Sequence, residues 1–90
     1  MDNFIAHILV VDDDEGIRSL VKKYLNENKF LVTTAKSAED ASMKVEVINF
    51  DLIILDIMMP GKNGLEFIKE NKKEIETPII LLTAKGEVKE

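Results

Sequence analysis

The sequence has 90 residues, of which 46% are hydrophobic and 32% are charged, and this composition supports one hydrophobic core but not two. We therefore expect a single domain, and the net charge of -5 argues against nucleic acid or an anionic membrane surface as the main partner of this chain. The absence of cysteine excludes disulfides and thiolate metal sites, and because there is no secretory signal or long apolar run we expect a cytoplasmic protein.

A strand and an amphipathic helix are predicted near the start of the chain. Residues 8–11 form a continuous apolar run that ends in three acids, which is typical of a strand buried on both faces and followed by a polar loop. A helix is expected over residues 14–27, with Asp14 as its N-cap. Its apolar residues recur at helical spacing and are expected to face the core: Ile17, Leu20, Val21, Tyr24 and Leu25.

A second strand and a second helix follow. Residues 30–35 are a short segment rich in β-branched side chains, which favours a strand. Ser37 and Asp40 then stand three positions apart, a pattern typical of a capping box at the start of a helix. The apolar face predicted for this helix consists of Ala38, Ala41, Val45 and Ile48.

The rest of the chain continues this alternation of strand and helix. Residues 52–55 are an apolar run that ends in Asp56, and a turn containing proline and glycine then leads to a predicted helix over residues 64–73. Residues 78–83 form a fourth apolar strand. This order of elements predicts right-handed crossovers and an α/β fold, a doubly wound parallel sheet with helices on both faces.

Two of the predicted strands end in acids. In a doubly wound sheet the functional crevice lies beyond the carboxyl ends of the strands, and the strand order 2-1-3-4 puts it between the first and third strands. Asp12, Asp13 and Asp56 should therefore meet, whereas Asp14 is expected only to cap its helix. Two carboxylates about 4 Å apart repel by roughly 4 kcal/mol at an effective dielectric constant near 20, so the group needs a cation. Oxygen ligands on a partly rigid loop suit Mg²⁺.

Three segments of the sequence are similar to the motifs of one known family. Residues 9–13 (LVVDD), 51–61 (DLIILDIMMPG) and 78–84 (PIILLTA) resemble the first, third and fourth strand motifs of the response-regulator receiver domain of bacterial two-component systems. The resemblance covers nearly the whole chain and implies a flavodoxin-like fold. It also implies a sensor histidine kinase as the phosphoryl donor and a conformational switch that controls an output, such as transcription.

The resemblance assigns roles to individual residues. Asp56 would accept the phosphoryl group, and Asp13 with Asp56 would bind Mg²⁺ directly while Asp12 acts partly through water. Met58 would offer its backbone carbonyl to the metal, and Thr83 would contact the phosphoryl group once it is attached. Such a domain assists its own phosphorylation and dephosphorylation but is not otherwise an enzyme.

The family's pattern continues beyond the end of this sequence. A receiver domain has a lysine and an aromatic residue on a fifth strand, so we expect residues 1–90 to be a C-terminally incomplete receiver without the fifth strand and the last helices. Lys85 is expected to be a solvated loop charge and not a substitute for that lysine. The fourth strand would then be an edge, which predicts a longer polypeptide or self-association through this strand or the truncated face.

Two alternative functions stay open at this point. A phosphohydrolase of the haloacid-dehalogenase type places a nucleophilic Asp after its first strand and a second Asp two positions on, as Asp12 and Asp14 are spaced. Gly16 stands where that family usually has Thr or Val. A degenerate receiver could act only as a docking module, although none of the acids is missing.

His7 has no second His or Cys nearby, so we expect no metal or catalytic role for it.

Overall fold

A computed structural model of the protein describes residues 4–56, 77–82 and 88–89. The strands and helices in these ranges are β1 His7–Val11, α1 Glu15–Glu27, β2 Leu31–Ala35, α2 Ala38–Val47, β3 Leu52–Asp56, β4 Ile79–Leu82 and β5 Val88–Lys89. The elements up to β4 lie close to the predicted bounds. The helix predicted over residues 64–73 lies outside the described residues.

The sheet has the strand order β2-β1-β3-β4-β5. β1 pairs in parallel with both neighbours, so that Leu9 stands opposite Thr33 on one side and Ile53 on the other. β3 pairs in parallel with β4, with Ile53 opposite Ile79. The predicted order 2-1-3-4 and the flavodoxin-like fold are thereby confirmed. Because these strands run the same way, their carboxyl ends meet at one edge of the sheet.

The outer side of β4 differs from the prediction. Leu81 pairs with Lys89 and Leu82 with Val88, so the antiparallel strand β5 covers this part of β4. Only residues 83–87 separate the two strands. A crossover between parallel strands needs about a dozen residues or more, so a strand this close in sequence can pair with β4 only in the antiparallel direction. It is not the parallel fifth strand of the family. The prediction that β4 is an unpaired edge is wrong at these two positions, and self-association through them loses its physical basis.

Each face of the sheet is covered by a different helix. Alternate residues of a strand point to opposite faces, and the core accordingly divides into two clusters. The cluster on the α2 side contains Leu9, Val11, Ala35, Ala38, Ala41, Phe50, Ile53 and Leu55. The cluster on the α1 side contains Ile8, Val10 and Val32, against which Val21, Leu25, Phe30, Leu52 and Ile54 pack. The central strand β1 is therefore buried on both faces, as predicted.

Helix α1 uses only part of its predicted apolar stripe. Val21 and Leu25 are half-buried against the sheet. Ile17, Leu20 and Tyr24 are 44%, 68% and 64% exposed. The prediction that all five face the core is thus wrong for three of them. The physical reason is that a straight helix touches a sheet along a narrow line, and residues flanking that line need a further neighbour to become buried.

The end of α1 is a Schellman motif that leads the chain into β2. The N–H of Phe30 donates to the carbonyl of Leu25 at 3.0 Å, and the N–H of Lys29 donates to the carbonyl of Asn26 at 3.1 Å. Lys29 has a φ of 69°, the left-handed conformation that this motif requires. Phe30 packs in the same cluster as Leu25. It belongs to the helix cap and not to the strand, which begins one residue later than predicted.

The start of α2 is fixed by two hydrogen bonds that involve Asp40. Ser37 Oγ accepts the N–H of Asp40 at 3.1 Å, as the capping pattern predicts. Asp40 Oδ2 in turn accepts the N–H of Lys36 at 3.2 Å. Lys44 Nζ bridges Asp40 Oδ2 and the carbonyl of Thr34, which ties the helix to β2.

Candidate functional site

The acids that end β1 and β3 lie side by side at the carboxyl edge of the sheet. Val11 and Leu55 are opposite one another in the parallel pairing of the two strands, so the residues that follow them emerge together. Asp12, Asp13 and Asp56 each offer a carboxylate oxygen, and these oxygens lie within 4.8 Å of one another. The predicted meeting of the three acids is confirmed.

Asp12 is the most enclosed member of this acid cluster. Its side chain is only 6% exposed, its Oδ1 accepts the N–H of Asp14 at 2.9 Å, and its own N–H donates to the carbonyl of Ala35 at 3.1 Å. Burial raises the pKa of the Asp12 carboxyl group, and the hydrogen bond from Asp14 only partly opposes this rise. Repulsion from the nearby carboxylates, that of Asp56 foremost, adds to the rise.

The burial of the three acids is graded from the core to the surface. Asp12 is buried, Asp56 is half-buried and Asp13 is exposed. A cation among them would therefore have protein oxygens on its inner side and solvent on its outer side. All the donor atoms are carboxylate oxygens, which are the ligands of hard divalent cations. The arrangement suits an ion that keeps several of its waters.

Asp14 has a different task from the acids beside it. Its Oδ1 accepts the N–H of Ile17 at 3.1 Å, which makes it the N-cap of α1, as predicted. The haloacid-dehalogenase alternative needed Asp12 and Asp14 to act together as catalytic acids. Because Asp14 is turned towards the helix and caps it, the structure does not support that pairing.

Sequence reasoning missed Arg18. This residue lies one turn into α1, and its Nη1 donates to the backbone carbonyl of Asp12 at 2.8 Å. The only signal in the sequence is its position, four residues after the cap Asp14 and therefore above residues 12–14, the acidic loop between β1 and α1. A long flexible side chain at such a position can reach several acceptors, so the pattern alone does not select this one.

Three predicted or considered site residues fall on parts of the chain that the structure leaves undescribed. Met58, Thr83 and Lys85 lie outside the described residues. The described part of the site therefore consists of the acid cluster, the cap of α1 and Arg18.

His7 lies at the opposite end of β1. Its Nε2 is 2.7 Å from Thr33 Oγ1, and its ring meets the ring of Phe50 edge to face at 4.8 Å between centroids. Its backbone N–H donates to Asp51 Oδ2 at 2.8 Å. The hydrogen bonds and the ring contact hold this histidine as part of the structure at the amino end of the sheet.

Comparison with known proteins agrees with this fold. The family model of the response regulator receiver domain matches residues 8–90. Among curated proteins, the chain is 48% identical over 84 residues to protein PetR of Rhodobacter capsulatus, covering 93% of this chain and 35% of PetR. It is 45% identical over 80 residues to the transcriptional regulatory protein ResD of Bacillus subtilis, covering 89% of this chain and 33% of ResD. The chain thus spans about a third of the length of these curated relatives.

Solved structures give the same result. The response regulator TrrA of Thermotoga maritima, crystallised in complex with Mg²⁺-BeF, has a TM-score of 0.82 and 48% identity, covering 89% of this chain and 70% of that one. TrrA in complex with the histidine kinase ThkA has a TM-score of 0.83 and 45% identity, covering 92% of this chain and 72% of that one.

The fold, the acid cluster and these comparisons define a receiver domain of two-component signalling. The chain belongs to the response regulator receiver domain family, as the resemblance of its motifs predicted. None of the helices in the described ranges is long and apolar enough to cross a membrane.

Proposed function

We propose that this protein receives a phosphoryl group on Asp56 with the help of Mg²⁺ and thereby switches a signalling output. The observation that supports this most is the placement of three carboxylate oxygens, from Asp12, Asp13 and Asp56, within 4.8 Å at the carboxyl edge of a parallel sheet. Holding like charges this close together costs free energy, and a bound divalent cation would offset that repulsion.

Asp12, Asp13 and Asp56 would hold Mg²⁺. The donor set fits this ion, because it consists of hard oxygens with one side open to water. When bound, the ion would neutralise part of the charge on the phosphoryl oxygens. Asp12, which accepts the N–H of Asp14 with its side chain and donates its own N–H to Ala35, would orient the site from its buried side.

Asp56 would be the nucleophile. A carboxylate oxygen attacks phosphorus in line, a P–O bond forms as the donor's P–N or P–O bond breaks, and the leaving group departs with its electron pair. β3 fixes the backbone of Asp56 through its parallel pairing with β1 and β4. We further propose the roles that the family resemblance gives to Met58, a carbonyl ligand of the metal, and to Thr83, a contact to the attached phosphoryl group.

A histidine kinase is the proposed phosphoryl donor. A kinase has been crystallised with the related TrrA, and the relatives ResD and CpxR are named transcriptional regulatory proteins. We therefore propose transcription as the output of the whole protein. DNA would be contacted elsewhere than in this acidic chain, whose residues 1–90 we take to be one receiver domain.

Intact-mass spectrometry after incubation with phosphoramidate and Mg²⁺ tests the proposal. The wild type should gain one phosphate that hydroxylamine removes, as it removes acyl phosphates, and Asp56→Asn should gain none. Asp51→Asn is the matched control, because Asp51 lies at the opposite end of the same strand, and this variant should be phosphorylated like the wild type. Phosphate uptake by Asp56→Asn would contradict the assignment. No uptake by the wild type would favour the docking-module alternative.

A further inference from the structure

Arg18 is the one described side chain of α1 that reaches back to the backbone of the acidic loop. Its guanidinium donates from Nη1 to the carbonyl oxygen of Asp12, at 2.8 Å and in a partly buried position. The base of the side chain is fixed as well, because the N–H of Arg18 donates to the carbonyl of Asp14 in the first turn of the helix. The Arg18 end of this bond is thus held by the helix, and the Asp12 end is held by the hydrogen bond from the Asp12 N–H to the carbonyl of Ala35.

The hydrogen bond from Arg18 orients the peptide unit that joins Asp12 and Asp13. The carbonyl of Asp12 and the N–H of Asp13 belong to the same planar peptide unit, so fixing that oxygen fixes the orientation of the unit. That plane sets the position of the Asp13 Cα relative to Asp12, and rotation about the N–Cα bond of Asp13 then directs its side chain. Asp13 is the exposed member of the cluster and has no comparable enclosure of its own.

The choice of acceptor also matters. Arginine usually pairs with carboxylates in a two-pronged manner, and such a pair would occupy the oxygens that a metal needs. Here the contact is to a carbonyl, so the carboxylate of Asp12 keeps its oxygens for other partners.

We propose that Arg18 is a positioning residue for the metal, acting through the Asp12–Asp13 peptide. This inference rests on the proposed Mg²⁺ and phosphoryl chemistry of the acid cluster. The hydrogen bond that the described residues show for the Arg18 side chain goes to a backbone carbonyl and not to a reacting atom. Arg18 orients the ligands from behind, as groups that hydrogen-bond to metal ligands do, and loss of such groups typically lowers metal affinity about 10- to 100-fold.

Calorimetric titration with Mg²⁺ of the wild type, Arg18→Ala, Arg18→Lys and Lys22→Ala tests this proposal. Arg18→Ala should bind Mg²⁺ about tenfold more weakly. Arg18→Lys keeps the charge and one donor and should fall between Arg18→Ala and the wild type. Lys22 is an exposed cation one turn further along the same helix, so Lys22→Ala should bind like the wild type and serves as the control for net charge.

Phosphorylation by phosphoramidate separates positioning from a loss of structure. In Arg18→Ala the Mg²⁺ concentration for half-maximal rate should rise about tenfold, and the rate at saturating Mg²⁺ should stay within about twofold of the wild type. Damage to the fold would instead lower the saturating rate and leave the midpoint unchanged, which would overturn the inference.

Two further results would also overturn it: Mg²⁺ binding by Arg18→Ala within twofold of the wild type, or equal weakening by Lys22→Ala. Failure of the wild type itself to bind Mg²⁺ would refute the proposed function as well, so the two failures are distinguishable.

Discussion

At the amino end of the sheet, polar side chains bind complementary partners. His7 bonds to Thr33, and Asp51 accepts the backbone N–H of His7 while donating its own N–H to the His7 carbonyl. At the carboxyl end, Asp12 and Asp56 instead bring like charges together with Asp13. The polar groups of the same sheet are thus paired in hydrogen bonds at its amino end and brought into electrostatic repulsion at its carboxyl end.

The difference between the two ends indicates that the carboxyl end is less stable than it would be without its clustered acids, which are suited to binding a ligand. Hydrogen bonds at the amino end contribute about 1 kcal/mol each and need nothing from outside the chain. On the proposed function, the carboxyl end reaches its full stability only with a cation bound. A substitution should therefore change stability in opposite directions at the two ends, and a divalent ion should affect only one of them.

Neutralising one acid should have the largest effect on stability. Two unit charges 4.8 Å apart repel by about 3.5 kcal/mol at an effective dielectric constant of 20 and by about 1 kcal/mol in water. We expect Asp12→Asn to raise the free energy of unfolding of the metal-free protein by about 1 to 3 kcal/mol, since the amide oxygen can still accept the N–H of Asp14. Urea unfolding in EDTA measures this, and a loss of stability would contradict the repulsion argument.

The raised pKa of Asp12 gives this stabilisation a pH dependence. The folded protein holds the Asp12 proton more tightly than the unfolded chain, so its stability falls as the pH rises from the ordinary value of 3.8 through the raised pKa. Asp12→Asn lacks this loss. The difference in free energy of unfolding between Asp12→Asn and the wild type should be largest at neutral pH without Mg²⁺ and should disappear below about pH 3.8. A stability difference between Asp12→Asn and the wild type that is constant from pH 3 to pH 7 would be inconsistent with the raised pKa of Asp12.

Addition of Mg²⁺ should stabilise the wild type but not a variant that lacks a ligand. At a concentration ten times the dissociation constant, binding to the folded state alone adds about 1.4 kcal/mol. We expect Asp13→Asn to lose most of this gain and Asp51→Asn to keep it. Thermal unfolding with and without Mg²⁺ provides the measurement. Equal stabilisation of Asp13→Asn and the wild type by Mg²⁺ would show that Asp13 is not a ligand of the metal.

At the amino end, Thr33→Val should lower stability. The substitution removes the hydroxyl that lies 2.7 Å from His7 Nε2, and loss of a partly buried hydrogen bond costs about 1 kcal/mol. Thr34→Val is the matched control on the next residue of β2, because the structure records no side-chain hydrogen bond for Thr34 among the described residues. Mg²⁺ affinity should be unchanged in both variants. Equal stability of the two variants would show that the bond to His7 contributes nothing.

The smallest expected effect concerns the cap that leads into the amino end of β2. Lys29 adopts a φ of 69°, which glycine tolerates without steric cost, so Lys29→Gly should raise the free energy of unfolding by about 0.5 to 1 kcal/mol. Asn28→Gly is the control. Asn28 has a φ of -101° and its Nδ2 donates to the carbonyl of Tyr24, so its replacement should destabilise. Thermal unfolding of both variants should show shifts of opposite sign.

The fold and the acid cluster were predictable because they follow from patterns that act over short distances. Apolar runs such as residues 8–11 and 52–55 identify buried parallel strands, and parallel order brings the residues after them to one edge. Asp12 and Asp56 therefore had to meet once the strand order was set. The capping roles of Asp14 and Ser37 depend on neighbouring backbone N–H groups and were predictable for the same reason.

Other features depend on choices that the sequence pattern does not determine. Residues 88–89 are too short to show a strand pattern, and their pairing with β4 follows from the short connection and the available edge. The exposure of Leu20 on α1 depends on which line of the helix meets the sheet. The bond from Arg18 depends on a flexible side chain that selects one carbonyl among several acceptors.

The most direct test of the central claim is to locate the bound cation. Mn²⁺ binds to the same oxygen ligands as Mg²⁺ and broadens the NMR signals of nearby amides, so a substoichiometric titration maps the site. We predict broadening of Asp12, Asp13 and Asp56 that excess Mg²⁺ reverses, with the signals of His7 and Asp51 unaffected. Broadening around Asp51, or a uniform effect along the chain, would contradict the assignment of the carboxyl-end cluster as the metal site.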